Sequence, residues 1–234
     1  MPYRRLPNTD NARIKALKTA INKCSNTDFN DVVVSMRTLH KAKSAVGKFE
    51  RMCKIYQQTF DTQIKANKSF QKQIKNARIY LSHFIQVLYL SIIRNEIKPN
   101  NLSLYGLDES NMLVPDLSTN EMVLEWGQKI IEGEQKRISN GGVPIYNPTI
   151  AKVKVMYSIF KDGYHTQQIH QKATNRTQNE VVNFRAEIDT LILELWDQVE
   201  NANMNLPAQK KIDRNKEYGI VYYYRKGEAL NNAD

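Results

Sequence analysis

Much that would give this sequence a ready-made chemistry is scarce or missing. Among its 234 residues are two cysteines, Cys24 and Cys53. Both fall at apolar positions of helical patterns and neither has metal or redox spacing, so neither a disulfide framework nor a zinc site is indicated. A buried free thiol is the expectation for each. The nine glycines build no phosphate-cradling loop and no Gly-x-Ser-x-Gly, and there is no Asp-rich calcium loop. Glu-x-x-His, the tetrad of carboxylate-bridged metal sites in bundles, occurs nowhere. The most apolar window, Phe84 to Ile93, contains Gln86 and Ser91 and is about half the roughly 20 residues a bilayer span requires. Arg4 and Arg5 near the start are followed by no apolar run, which argues against a signal peptide. The expectation is a protein with no membrane span and no cofactor, in a cytoplasmic setting.

Acidic residues are scarce in one half only. The chain carries 34 Lys and Arg against 24 Asp and Glu, a formal net charge of +10. Through Leu107 there are 19 basic against 6 acidic side chains, and from Asp108 onward 15 against 18. The positive charge therefore belongs to the first half, which favours acidic partners and says nothing about fold.

What the sequence has in abundance is helical periodicity. From Leu39, small, apolar or aromatic residues recur at alternating steps of three and four: Ala42, Val46, Phe49, Cys53, Tyr56 and Phe60, then Phe70, Ile74, Ala77, Leu81, Phe84 and Leu88. This is a heptad seam. Gln63 and Asn67 occupy the skipped positions, so the phase survives a polar interruption free of Gly and Pro. The pattern predicts one helix from Val32 to Asn95, close to about 100 Å at 1.5 Å per residue. Pro148 and Thr149 open a second such segment, with Asn147 as its cap. It shows Ile150, Val153 and Phe160, then a polar middle, then Val181, Phe184, Ile188, Ile192 and Val199. Thr177 and Glu180 fit a capping box there. Two arrangements remain open: continuous helices packed side by side, or helices broken near Asn67 and Asn175. In the first, Gln63 and Asn67 would face Gln167 and Gln171 as a buried amide layer that fixes register.

The shorter pieces repeat in order. Helices are expected from about Asp10 to Cys24, with Ile14, Leu17, Ile21 and Cys24 inward, and from Ser118, Thr119 and Asn120 to about Ile138, with Met122, Trp126 and Ile130 inward. The Ser25 to Asp31 loop ends the first, and Ser139 to Gly142 the second. Leu6 and Pro7 match Val114 and Pro115, and Tyr105, Gly106 and Leu107 match Tyr218, Gly219 and Ile220. An offset of 104 sets Val46 on Ile150, Tyr56 on Phe160, Phe84 on Ile188 and Leu88 on Ile192. These matches predict an internal duplication into repeats 1–113 and 114–234, packed as one unit, the tripeptides plausibly paired as strands. Leu102 to Leu117 reads as loop and Gly219 to Tyr224 as a short strand. The fold class is all-α, an elongated bundle of long amphipathic helices with at most a short strand pair.

Candidate sites are few. His83 has Glu187 as its repeat equivalent and Asp61 has His165, but His165 and His170 are five apart, a poor spacing for one helix face. Solvent-facing histidines are the expectation, and Trp126 and Trp196 read as core. The feature that invites a function is charge. Between Val32 and Asn95 the only acids are Glu50 and Asp61, and Lys65, Lys68, Lys72 and Lys75 form a stripe away from the apolar seam. An ordinary solvated face interleaves both signs.

The opening Pro2 to Asp10, the Ser82 to Val87 stretch and the closing Tyr218 to Tyr224 resemble an uncharacterised family of helical proteins from Bacteroidetes bacteria. That resemblance implies a bacterial cytoplasmic protein and carries over no site residues. The function expected is that of a non-catalytic helical interaction or structural protein that docks a protein partner or another copy. The alternative is a nucleic-acid-binding module using the basic face of residues 32–95, with phosphate contact and no base stacking.

Overall fold

The computed structural model describes residues 3–28 and 31–224. Pro2, Phe29 and Asn30, which enter the readings above, lie outside the described residues. In order come β1 (Tyr3–Arg4), α1 (Asp10–Ser25), α2 (Met36–Ile93), a 3-10 helix (Pro99–Tyr105), α3 (Asn120–Ser139), α4 (Ile150–Ala202), α5 (Ala208–Glu217) and β2 (Tyr222–Tyr223). The fold is all-α. The one sheet among the described residues is the antiparallel pair β1 and β2, with Tyr3 opposite Tyr223 and Arg4 opposite Tyr222.

Both long segments are single helices, α2 of 58 residues and α4 of 53. The expected capping box is not used. Thr177 lies inside α4 and its hydroxyl donates to the Thr174 carbonyl, while Glu180 pairs with Arg176 one turn back. No proline falls within either helix, so the hydrogen-bonded ladder has no obligatory break. The start of α4 does depart from expectation. Pro148 follows a cis peptide bond and stays outside the helix, and the Thr149 hydroxyl accepts from the Lys152 N–H instead.

The residues cluster into two compact units, one made of Met1–Thr59 with Thr174–Asp234, the other of Phe60–Ala173. Each takes part of both long helices. In the first, α2 and α4 run antiparallel: Phe49 meets Phe184 with tilted rings 6.1 Å apart, Thr38 donates to Glu194, and the Ser35 N–H donates to Gln198. Against them lies α1, with α5 on α1, and Tyr218 and Ile220 after α5 join a core that includes Leu17, Phe49, Ile188 and Trp196. Thr9 caps α1 by accepting from the Ala12 N–H. Leu17 and Cys24 are buried as expected, together with Ala16 and Ala20, while Ile14 and Ile21 pack at the rim.

In the second unit the two helices are again antiparallel, with Phe70 5.9 Å from Phe160 and Lys152 over the Tyr80 ring. Here α3 and the 3-10 helix complete a core around Phe84, Leu88, Leu102, Tyr105 and Ile130. Thr119 caps α3 just as Thr9 caps α1. The inward face of α3 is Val123, Gly127, Ile130 and Gly133; Met122 is exposed and Trp126 half-buried. The step from Val123 through Gly127 fits the core because Tyr157 lies across Gly127 and Tyr105 across Gly133, where any Cβ would collide with their rings.

The buried amide layer is not formed. Asn67 and Gln171 are exposed, and Asn67 accepts from Gln71 on its own helix. From 50 to 69 no residue of α2 is buried, and none of α4 from 161 to 173. Gln63 and Gln167 are only half-buried, and an amide still in contact with water gains little from pairing across helices.

The repeated tripeptides are turns and not strands. Gly106 has φ 69° and Gly219 has φ 82°. At both, the residue after the glycine donates its N–H five positions back, Leu107 to Leu102 and Ile220 to Asn215, and the glycine donates three back. This is a left-handed helix stop that glycine adopts without steric cost. Tyr105 and Tyr218 are both buried, and so are Leu107 and Ile220. The offset of 104 also sets buried on buried at Ala77 and Val181, Phe84 and Ile188, and Leu88 and Ile192.

Candidate functional site

The lysine stripe is built by the same periodicity that builds the core. Phe70, Ile74, Ala77 and Leu81 are buried, which turns Lys65, Lys68, Lys72 and Lys75 to the opposite side, and all four are exposed. None makes an ion pair with a described residue. Other surface cations do: Lys18 pairs with Glu50, Lys23 with Glu217 and Lys129 with Glu125, each within 2.6 Å. The difference lies in supply, since Asp61 is the one acid on α2 after Glu50.

The histidine readings converge on nothing. His83 and His165 are exposed and His170 is half-buried. No group of three or more His, Cys, Asp and Glu side chains among the described residues could hold a metal ion. Cys24 is buried and Cys53 half-buried, both as free thiols, and burial pushes both thiols up from their ordinary range. Trp196 is core, and Trp126 carries Lys129 over its ring at 4.7 Å. Among the described residues no helix is long and apolar enough to cross a membrane.

One polar cluster lay outside the sequence reading. Glu134 is fully buried and Arg137, one turn on, is 4% exposed. Arg137 donates from Nε to Glu134 Oε2 at 2.9 Å and from Nη2 to Oε1 at 2.8 Å. The Tyr105 hydroxyl donates to Glu134 and accepts from Arg137 Nε. Arg137 Nη2 also donates to the Val143 carbonyl, and the Ile145 N–H donates to Glu134. The cluster clasps the segment between α3 and α4 onto the 3-10 helix. Burial, and then the bond to Glu134, push the Tyr105 phenol well above its ordinary range. For Arg137 burial works to lower the pKa, and Glu134 and Tyr105 more than offset it. The sequence signal was Glu and Arg at i and i+3, which on most helices is a surface pair.

The cluster backs an open cleft of about 840 Å³ lined by Arg94, Lys98, Arg137 and Asn147 among others. Its polar groups are largely spent on closing helix ends. The Glu96 and Ile97 N–H groups bond the Ser91 carbonyl, the Gly142 N–H bonds that of Arg137, and Arg94 pairs with Glu96 at 3.8 Å. Nothing in it assembles a nucleophile with a base.

Comparison with family models, curated proteins and solved structures returned no match.

Proposed function

We propose that this chain is a non-catalytic helical interaction protein that docks an acidic partner, either another protein or another copy of itself, on the outer face of α2. One observation carries the reading: Lys65, Lys68, Lys72 and Lys75 stand exposed on one helix face without an ionic partner among the described residues. Like charges four apart cost an isolated helix about 0.2–0.5 kcal/mol per pair. A bound acid would turn that repulsion into attraction. The same lysines favour a nucleic-acid backbone as the second reading, through phosphate contact with a steep salt dependence.

Crosslinking in a lysate followed by mass spectrometry separates the two, since it reports whether peptides or nucleotides are attached. Replacing the four lysines with glutamate should abolish the attachment. Unchanged capture by the reversed-charge variant would sink the proposal, and retention of the wild type on nucleic acid at low salt, lost as salt rises, would move it to the second reading.

A further inference from the structure

The lysine stripe does not end at Lys75. At 100° per residue, taking Ile79 as the reference meridian, Lys65, Lys68, Lys72 and Lys75 all fall within about 40° of it. So do Leu90 and Ile93, toward the other end of the helix. Ile79 is 51% exposed, Leu90 47% and Ile93 64%. His83 and Gln86 between them are exposed as well. From Lys65 to Ile93 the outer face of α2 is therefore one strip, cationic over its first half and carrying three large uncovered aliphatic side chains over its second, with Asp61 on the same meridian one turn before it. No acidic residue interrupts it from Lys65 to Ile93.

We infer that this strip docks a single amphipathic helix of a partner protein, one whose contact face is acidic along one half and apolar along the other. The inference rests on the function proposed above and names the partner's chemistry. The end-to-end order of the strip selects the occupant. A nucleic-acid backbone presents phosphate along its whole length and would leave the aliphatic half idle. A membrane surface takes the apolar face of a helix inward with its cations flanking at the same level. Here cations and aliphatics succeed each other along one meridian, an end-to-end change that a partner helix can mirror and a laterally uniform lipid surface does not. A partner helix would read the strip as anchors at i, i+3, i+4 and i+7 spacing, with charge fixing which end lies where.

Two synthetic helical peptides of identical composition test this on the full-length protein by fluorescence titration. In one, glutamates fill one half of a face and leucines the other half; in the second, the same residues are interleaved along the face. The segregated peptide should bind at least about tenfold tighter. The triple variant Ile79→Ser, Leu90→Ser, Ile93→Ser should erase that preference at unchanged helix content, because all three side chains are already exposed. If both peptides bind equally and only the lysine-to-glutamate variant loses them, the basic face docks acidic partners and the inference about the apolar half is wrong. If neither binds, both fall. Binding of phosphatidylserine-containing vesicles, or self-association in sedimentation, that disappears in the triple serine variant would give the strip a different occupant and overturn the inference.

Discussion

The two units solve the same packing problem and place their charges differently. In the first, ion pairs ring the core: Arg13 forks onto Asp189 at 2.7 and 2.9 Å, Arg185 forks onto Asp10, and Arg4 reaches Asp197 and Glu200. Asp189 is 31% exposed and Asp197 56%. In the second, Glu134 and Arg137 lie inside, at 0% and 4%. Their partners are more covered, Arg13 at 12% and Arg4 at 24%, but each pair keeps an edge in water, where screening limits what it contributes. A buried pair has given up its hydration and depends on every bond it makes. The same chemistry is thus peripheral fastening around the first core, as it is for Lys129 and Glu125 on the second, and a structural commitment only where Glu134 and Arg137 are buried.

The largest effect that would test this contrast is at Glu134. Glu134→Ala leaves the Arg137 guanidinium buried without its counter-charge and frees the Ile145 N–H, and should cost about 3–5 kcal/mol of stability in urea unfolding. Asp189→Ala should cost at most about 1 kcal/mol, and less in high salt. Equal losses would erase the distinction.

A second test is alkaline stability. Burial and the hydrogen bond to Glu200 push the Tyr222 phenol up to about 12, and Tyr105 is raised as well. Both phenols bind their protons more tightly when folded than in the unfolded chain, where they titrate near 10. Their contribution is complete below about pH 10 and is lost as pH rises toward the folded values. The urea midpoint should fall across that window, and the phenolate absorbance of Tyr105→Phe should lack one component that titrates above the ordinary range. A midpoint flat between pH 9 and 11.5 would show that neither phenol is held as described.

The smallest effect concerns what the units share. Thr9 and Thr119 cap α1 and α3 through the same bond, hydroxyl oxygen to the N–H three residues on. Thr9→Ala and Thr119→Ala should each cost about 1 kcal/mol. A clear inequality would mean that the equivalence of the two short helices stops at geometry.

The long helices were legible because the seam from Leu39 to Leu88 keeps phase, and the lysine face because it is that seam's complement. Residue type and environment part company at several positions. Gly127 and Gly133 have no side chain to register as core, yet their smallness is what lets Tyr157 and Tyr105 in. Met122 is apolar but stands at the open first turn of α3. Gln63 and Asn67 were expected inside because their heptad positions point inward, but no core continues through that level of the helix.

The sequence by itself determined helix, phase and charge. Those depend on neighbours within a turn or two, where spacing of side chains is fixed by backbone geometry. Tertiary structure alone decided that Glu134 and Arg137 are buried. It also decided that the Tyr-Gly-aliphatic tripeptides are helix stops, and that the halves of the chain contribute jointly to each compact unit. The physical reason is that burial is a property of what else arrives at a place. Tyr105 comes to Glu134 from 29 positions away, and Asp189 to Arg13 from 176, separations over which local periodicity carries no information.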